Sequence, residues 1–296
     1  MLESRVKKLF KIFGRSHLNR NVYNNERTFE QIRKHYEVEK SLAKKLLNSS
    51  REERILIYKT MYDELFAKIP NHPRLRRRKD LKGIRKVIQY QIKIFNKLVK
   101  NVNASTVLLE FGPGDCAFSF EMCKYVKKVF SVDISNQVSD INEIPENFEL
   151  IIYDGYHLQI PSKSIDVIYS NQLIEHIHPD DISIHFQLAK QLLKKNGKYI
   201  FLTPHRFSGP HDISYYFSDE AEGFHLKEWT YKEISQVLKR VGYSNWKMYW
   251  KIKGTVIWIP NVIMLSFEKL VGYLPRKIQR KISRYIFPEI VMVVEK

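Results

Sequence analysis

A chain of 296 residues, 44% of them hydrophobic, is long enough for one large domain or a medium domain with an appendage, and it is too apolar to be a disordered chain. The formal net charge of +18 is unevenly spread: residues 1–105 carry +17, residues 106–225 carry −8 and residues 226–296 carry +9. Basic flanks of this size suit an anionic partner, such as a membrane surface, nucleic acid or a phosphorylated substrate, or else they write solvated helix faces in lysine.

The opening MLESRVKKLFKIFG has no long apolar core and no small-residue cleavage site, so it reads as an amphipathic helix rather than a secretory signal. From Thr28 to Leu47, Arg51 to Lys68 and Leu81 to Lys100, apolar residues recur three and four apart, the pattern of helices. Ser49 or Ser50 before "REER" is the expected N-cap of the second of these. Pro70 and Pro73 punctuate the next break, which leads into the run Arg74-Leu75-Arg76-Arg77-Arg78-Lys79. Residues 1–104 are therefore expected to form a basic helical appendage or lid.

From Thr106 the period changes. "TVLLEF", "KVFSVDI", "FELIIYD", "SIDVIYSN" and "GKYIFLTP" are short apolar runs separated by helical segments, the pattern of a buried parallel sheet wound with crossovers. A helix over Thr230 to Val241, stopped by Gly242, precedes a sixth strand in "YSNWKMYWKI". "EIVMVVEK" is read as a seventh strand returning to the sheet, which makes 254–288 a helical insertion within a domain of residues 105–296. Trp258, Ile259, Val262, Ile263, Met264, Phe267, Leu270 and Tyr273 are expected to pack over the sheet edge; the competing reading is a membrane-facing segment beside Lys277, Arg280, Lys281 and Arg284. This apolar stretch is interrupted by Pro260-Asn261 and Glu268-Lys269, too often for a spanning helix. A cytoplasmic protein is expected, with peripheral attachment to a membrane as its variant. Cys116 and Cys123 read as inert thiols on one buried face.

The chemistry starts at "LLEFGPGDCA". A strand entering a glycine turn and then a helix offers backbone N–H groups and a positive helix end to an anionic ligand group. Gly112 and Gly114 permit the tight turn, and with Ala117 the text fits G-x-G-x-x-A, a spacing shared by dinucleotide folds. Asp133, 21 positions after Gly112, stands where a carboxylate can accept hydrogen bonds from both ribose hydroxyls. Three features separate the cofactor classes. Glu110 would repel a pyrophosphate but suits an ammonium group. Asp154 and Asn171 fall at the carboxyl ends of the third and fourth strands, the ligand edge of such a sheet. The final strand closes the series.

On the ordered set E-F-G-P-G-D, V-D, D-G, D-V-I-Y-S-N-Q-L-I-E-H and L-L-K-K-N-G-K-Y-I-F-L-T-P, the sequence resembles the class I S-adenosylmethionine-dependent methyltransferases, of the methyltransferase-11-like kind, over residues 106–252 and 289–296. The resemblance implies an α/β fold with a Rossmann-like seven-stranded sheet, helices on both faces, and S-adenosyl-L-methionine as cofactor. It implies that Gly112 and Gly114 adjoin the methionine part of the cofactor, that Asp133 binds the ribose, that Asp154 and Gly155 lie near the adenine amino group, and that Asn171 and Gln172 line the sulfonium. Glu110 is the acidic residue of the first motif. Cys116 departs from the pattern, since many members carry a further glycine there.

Methyl transfer from a sulfonium is an in-line displacement that needs alignment and exclusion of water. An alcohol or phenol acceptor benefits from a general base, and His225, His211 and His176 are the candidates, with His205 and Asp212 nearby in sequence. "HIHPDD" matches no strong ligand spacing, so no metal is expected. The expected function is O-methylation of a small molecule or glycan. The alternatives are an RNA methyltransferase gripping phosphates through the basic helices, an NAD(P)-dependent oxidoreductase, and a non-catalytic scaffold that keeps the fold.

Overall fold

A computed structural model describes residues 27–77, 81–136, 144–252 and 254–296. The amphipathic reading of the first fourteen residues, and the Arg78-Lys79 end of the arginine run, fall outside them. The chain begins with helices α1 (Phe29–Leu47), α2 (Arg51–Lys68), α3 (Pro73–Arg77) and α4 (Leu81–Leu98). Two capping boxes set the starts of α1 and α2: Thr28 with Gln31, and Ser50 with Glu53, each satisfying backbone donors that a helix end leaves unpaired.

The sheet follows with β1 (Val107–Phe111), α5 (Ala117–Met122), β2 (Lys128–Asp133), β3 (Phe148–Ile152), β4 (Ile165–Asn171), α6 (Ile182–Leu192) and β5 (Leu193–Pro204). Then come α7 (Tyr231–Val241), β6 (Asn245–Ile252), β7 (Thr255–Ile259), α8 (Asn261–Gly272), α9 (Arg276–Ile286) and β8 (Glu289–Glu295). The strand order is β3-β2-β1-β4-β5-β8-β6-β7. The five strands β1 to β5 are parallel, and the order reverses at β1, between β2 and β4. A ligand crevice forms at such a reversal, outside the carboxyl ends of the strands. β8 inserts antiparallel between β5 and β6.

All seven expected strands are present, and the sheet has an eighth. The segment read as a wholly helical insertion begins with β7, which pairs antiparallel with β6 from Met248↔Ile259 to Ile252↔Thr255. Gly254, at φ +79°, provides the left-handed residue of the connecting turn. A second expectation also fails. Of the apolar residues assigned to packing, Met264 is buried, whereas Trp258, Val262, Ile263, Phe267, Leu270 and Tyr273 are exposed. The buried face of α8 is instead Met264, Glu268 and Val271, with Glu268 accepting the Tyr231 and Lys232 N–H groups and pairing with His205.

Each sheet face carries its own core. On one, α6 and α7 pack Ile182, Phe186, Ile234 and Leu238 against Leu109, Ile168 and Phe201. On the other, α4 and α5 pack Ile94, Phe95, Phe118 and Met122 against Leu108, Val129 and Ile200. A third cluster joins α1 and α2 to Phe224, so the helical region closes over the carboxyl end of the sheet through its own apolar contacts. Among the described residues, no helix is long and apolar enough to cross a membrane.

Candidate active site

A cavity of about 350 Å³ opens at the topological reversal. Its floor is the glycine turn after β1 and the ends of β2 and β4; its roof is helical, with Tyr58, Met61 and Tyr62 from α2 and Ile84, Val87 and Ile88 from α4. Tyr58, Met61 and Tyr62 sit at the three- and four-residue spacing that shares one helix face.

Gly112 has φ +65°, and a Cβ there would stand 2.9 Å from Leu173 Cδ1. Gly114 has φ +59°, with the Arg74 guanidinium 3.4 Å from where its Cβ would lie. Both positions need the conformational freedom and the small size of glycine. Cys116 has φ 57° as the N-cap of α5, which explains why glycine is usual in that slot. Cys116 is buried and Cys123 half-buried at the other end of α5; they cap the helix rather than share one of its faces.

Asp133 ends β2. Its Oδ2 accepts the Gly114 N–H at 3.4 Å and its Oδ1 the Ser135 N–H at 3.1 Å. A carboxylate has about four acceptor positions, so capacity remains for two ribose hydroxyls. Burial raises its pKa. The fit to a nucleoside with a cationic amino-acid tail is thus carried by the opened glycine backbone and this partly used carboxylate.

Glu110 is buried in the cavity wall and accepts the Ser119 hydroxyl at 2.5 Å. Burial pushes its carboxyl up to about 8, against the opposing effect of the Ser119 hydrogen bond. A carboxyl raised in the folded state leaves stability intact below its ordinary pKa of 4.5 and costs stability as pH rises toward about 8. Glu110→Gln should therefore raise the Tm of the ligand-free protein by a few degrees at pH 8.5, ~5 °C in order of magnitude, and leave it nearly unchanged at pH 4.5. Scanning calorimetry at the two values checks this; an equal shift at both would remove the buried charge as its cause.

Asn171 and Gln172 line the cavity where β4 ends, and Gln172, at φ 58°, donates its N–H to Leu202 O at 2.8 Å. Gly155 lines it too, facing the Tyr58 ring. Asp154 does not. Its carboxylate accepts the Tyr156 and His157 N–H groups at 2.8 and 2.7 Å and pairs with the His157 ring at 2.6 Å, so it shapes the turn that presents Gly155. The cavity thus gathers Glu110, Gly112, Gly114, Asp133, Gly155, Asn171 and Gln172, all of the expected cofactor residues except Asp154.

The three candidate histidines separate. His176 lines the cavity; its Nδ1–H donates to Phe224 O at 2.8 Å, and burial pushes its pKa down to about 3. His225 stands behind it, ring centroids 4.9 Å apart, with Nδ1 on Glu228 Oε1 at 2.9 Å. Burial lowers the His225 pKa, but the Glu228 hydrogen bond and the charges of Asp212, Glu228 and Glu175 outweigh it and raise it to about 9. His211 is further off the wall: its backbone N–H donates to Glu228 Oε1 at 2.6 Å and its Nε2 meets Ser208 Oγ at 2.9 Å. His205 is fully buried against Glu268.

Several residues that matter here lie outside the cofactor motifs, the first of them opening the arginine run. Arg74 lies over the Tyr62 ring, 5.2 Å from its centroid, and reaches the cavity beside Gly114. Arg54 of α2 pairs with Asp181 at 2.8 Å, both nearly buried, and donates to Tyr156 Oη. Glu175 and Glu228 complete the surroundings of the histidines. The Glu-His step in "LIEHIH" was the visible signal for Glu175, and the three-residue spacing of His225 and Glu228 in "HLKE" the one for Glu228; Arg54 meets Asp181 only through the fold.

The profile of a methyltransferase-domain family matches residues 76–248. Over 104 residues the chain is 31% identical to phosphoethanolamine N-methyltransferase 3 of Arabidopsis thaliana, a match covering 32% of this chain and 21% of that relative. Among solved structures, phosphoethanolamine N-methyltransferase 1 of Haemonchus contortus, in complex with phosphoethanolamine and S-adenosylhomocysteine, aligns over 83% of this chain and 50% of its own at TM-score 0.54 and 14% identity. An S-adenosylmethionine-dependent methyltransferase of Archaeoglobus fulgidus aligns over 72% of this chain and 94% of its own at TM-score 0.49 and 17% identity. This chain spans about a fifth of the Arabidopsis protein and half of the Haemonchus chain. With the glycine turn, Asp133 and the α/β sheet in the arrangement described, the chain belongs to the methyltransferase-domain family and has the class I methyltransferase fold.

Proposed function

We propose that the chain methylates an oxygen of a small-molecule or glycan acceptor held at the His176 end of the cavity. The observation that carries this reading is the tautomer of His176. Because Nδ1–H donates to Phe224 O, the lone pair of the neutral ring is on Nε2, available to a hydroxyl. S-Adenosylmethionine supplies the electrophilic methyl group. The chain's own residues would hold the ribose at Asp133, set the amino-acid end at the glycine turn and Glu110, and exclude water with the α2 and α4 roof. A roofed cavity suits a small acceptor better than an RNA strand, which needs an open, basic track. The acidic stretch 106–225, which includes the sheet's carboxyl edge, argues the same way.

A second reading is methylation of the amine of a phosphate-bearing acceptor. It is favoured by the relatives' names and by Arg74, a cation on the cavity wall suited to a phosphate. One experiment separates the readings. With deuteromethyl-labelled cofactor, the protein is offered phenols, sugar nucleotides, glycolipids, phosphoethanolamine and total RNA, and products are mapped by mass spectrometry. The label is expected on an oxygen. Label on the phosphoethanolamine nitrogen alone would replace the first reading with the second, and label on RNA alone would sink both.

A further inference from the structure

We infer that Glu175, His176 and His225 form a binding site for one divalent transition-metal ion, such as Zn²⁺ or Mn²⁺, on the acceptor side of the cavity. Their candidate ligand atoms lie within 4.8 Å of one another. Two imidazoles and a carboxylate are a donor set for such ions, and three protein ligands leave positions open for an oxygen of the acceptor.

Each ligand is prepared by its neighbours. His225 Nδ1–H donates to the Glu228 carboxylate at 2.9 Å, and His176 Nδ1–H donates to Phe224 O at 2.8 Å. Metal-binding histidines almost always use their other nitrogen in this way, toward a carboxylate or a backbone carbonyl, which orients the ring and leaves Nε2 to the ion; on His225 the ion displaces the Nε2 proton. Glu175 is fully buried; Thr203 Oγ1–H donates to its Oε2 at 2.8 Å, while its Oε1 has no hydrogen-bond partner. A buried carboxylate oxygen left unpaired is costly, and a cation removes that cost.

The other three-residue cluster of this type among the described residues, His35, Glu39 and His72, shows what a filled network looks like. There Arg27 donates to His35 Nδ1 at 2.8 Å, which puts the proton of the neutral His35 ring on Nε2, and that atom faces Glu39 at 2.7 Å. Its second oxygen accepts the Phe224 N–H at 3.3 Å. Both nitrogens of His35 and both oxygens of Glu39 are thus engaged, so that cluster closes on itself without an ion.

His176 is both a proposed ligand and a cavity residue, so the ion would touch the acceptor. An acceptor hydroxyl coordinated there loses its proton to water more readily. The oxygen lone pair then forms the O–C bond, the methyl–sulfur bond breaks with its electron pair going to sulfur, and the sulfonium becomes a neutral thioether. This step rests on the oxygen-acceptor reading above, with the His176 Nε2 lone pair now on the ion and the acceptor hydroxyl held through it; metal binding does not.

The test is calorimetric titration of the chelator-treated full chain with Zn²⁺, with Co²⁺ absorption as a second readout. One ion per chain is expected. E175Q, H176Q and H225Q should each weaken binding about 100-fold or more, and E228Q about 10- to 100-fold, while H72Q leaves it unchanged. Far-UV circular dichroism, and S-adenosylhomocysteine affinity in E175Q and E228Q, show whether a variant has merely lost its fold. Absence of saturable binding, or equal binding in E175Q and H225Q, would overturn the site. One bound ion together with methylation at nitrogen only would uphold the site and overturn the oxygen activation.

From a different observation we also infer that the end of β7 and the outer face of α8 dock on a bilayer with anionic headgroups. Trp258 in β7, Val262, Ile263 and Leu270 on α8 and Tyr273 at its end are exposed, about half to three-quarters accessible. Lys269 on α8 and Lys277 and Lys281 on the following helix α9 are exposed, with no ion pair among the described residues. An apolar stripe flanked by unpaired lysines matches an interfacial helix, where apolar insertion and attraction to anionic lipids act together. The full chain should sediment with phosphatidylcholine vesicles containing phosphatidylserine, less with phosphatidylcholine alone, and V262E/L270E should stay in solution with its Tm unchanged. A chain that ignores both vesicles, or a dimer in light scattering that V262E/L270E dissolves, would overturn this assignment.

Discussion

Asp133→Ala should lower the affinity for S-adenosylhomocysteine by about 100-fold. A carboxylate accepting two ribose hydroxyls makes two charge-assisted hydrogen bonds, each worth about 1.5–3 kcal/mol, and even the lower end for both corresponds to roughly two powers of ten. The side chain is held for this task at the end of β2, with the Gly114 and Ser135 N–H groups fixing its two oxygens. Asp133→Asn separates charge from position, because it keeps one acceptor in place and loses the negative charge. It should fall between wild type and alanine in isothermal titration. Equal affinities in all three proteins would place the ribose elsewhere.

The second large effect lies away from the glycine turn. Arg54→Ala should destabilise the protein by about 3–5 kcal/mol and lower its Tm by ~10 °C. Arg54 and Asp181 are both nearly buried, with Arg54 Nε 2.8 Å from Asp181 Oδ2, Nη2 donating to Oδ1 at 3.2 Å and Nη1 donating to Ser49 O at 2.6 Å. Tyr156 Oη–H donates to the same carboxylate at 2.6 Å. Removing the guanidinium leaves a buried carboxylate with one neutral donor and only the exposed Arg51, 4.0 Å away, which costs far more than loss of an exposed ion pair. The pair also ties α2 to the start of α6, so cofactor affinity should fall with stability as Tyr58, Met61 and Tyr62 lose their seat. R54M/D181L, which removes both charges, should recover much of the loss. If it is no more stable than the single variant, packing rather than the stranded charge is the cause.

The parallel core of the fold was legible because strands buried on both faces write near-continuous apolar runs, as in "VLLEF" and "IDVIYSN". β7 was missed for the same reason: "TVIWI" is a short apolar run next to a helical pattern, and periodicity alone does not assign such runs. Gly254 between two aromatic, β-branched runs was the hairpin signal. The apolar residues of α8 were expected inside because burial is the commonest fate of a stripe, but the face buried in the structure holds Glu268, which pairs with His205.

In the site, the residues legible in sequence are those at the carboxyl ends of the parallel strands, Glu110, Gly112 and Gly114, Asp133, Gly155, and Asn171 with Gln172, whose places are set by where each strand stops. Asp154 fell in the right loop, but its carboxylate is taken up by its own turn. The acceptor side was illegible for a physical reason. His176 meets Phe224 across 48 positions, Thr203 meets Glu175 across 28, and Arg54 meets Asp181 across 127. No local pattern records such meetings.

A crystal structure with S-adenosylhomocysteine bound tests the central claim most directly. The account predicts the ribose hydroxyls on Asp133, the amino-acid end at Gly112 and Gly114, and the sulfur directed toward the His176 end of the cavity beneath α2. A ligand bound with its ribose away from Asp133, or outside the space between the glycine turn and the helical roof, would contradict it.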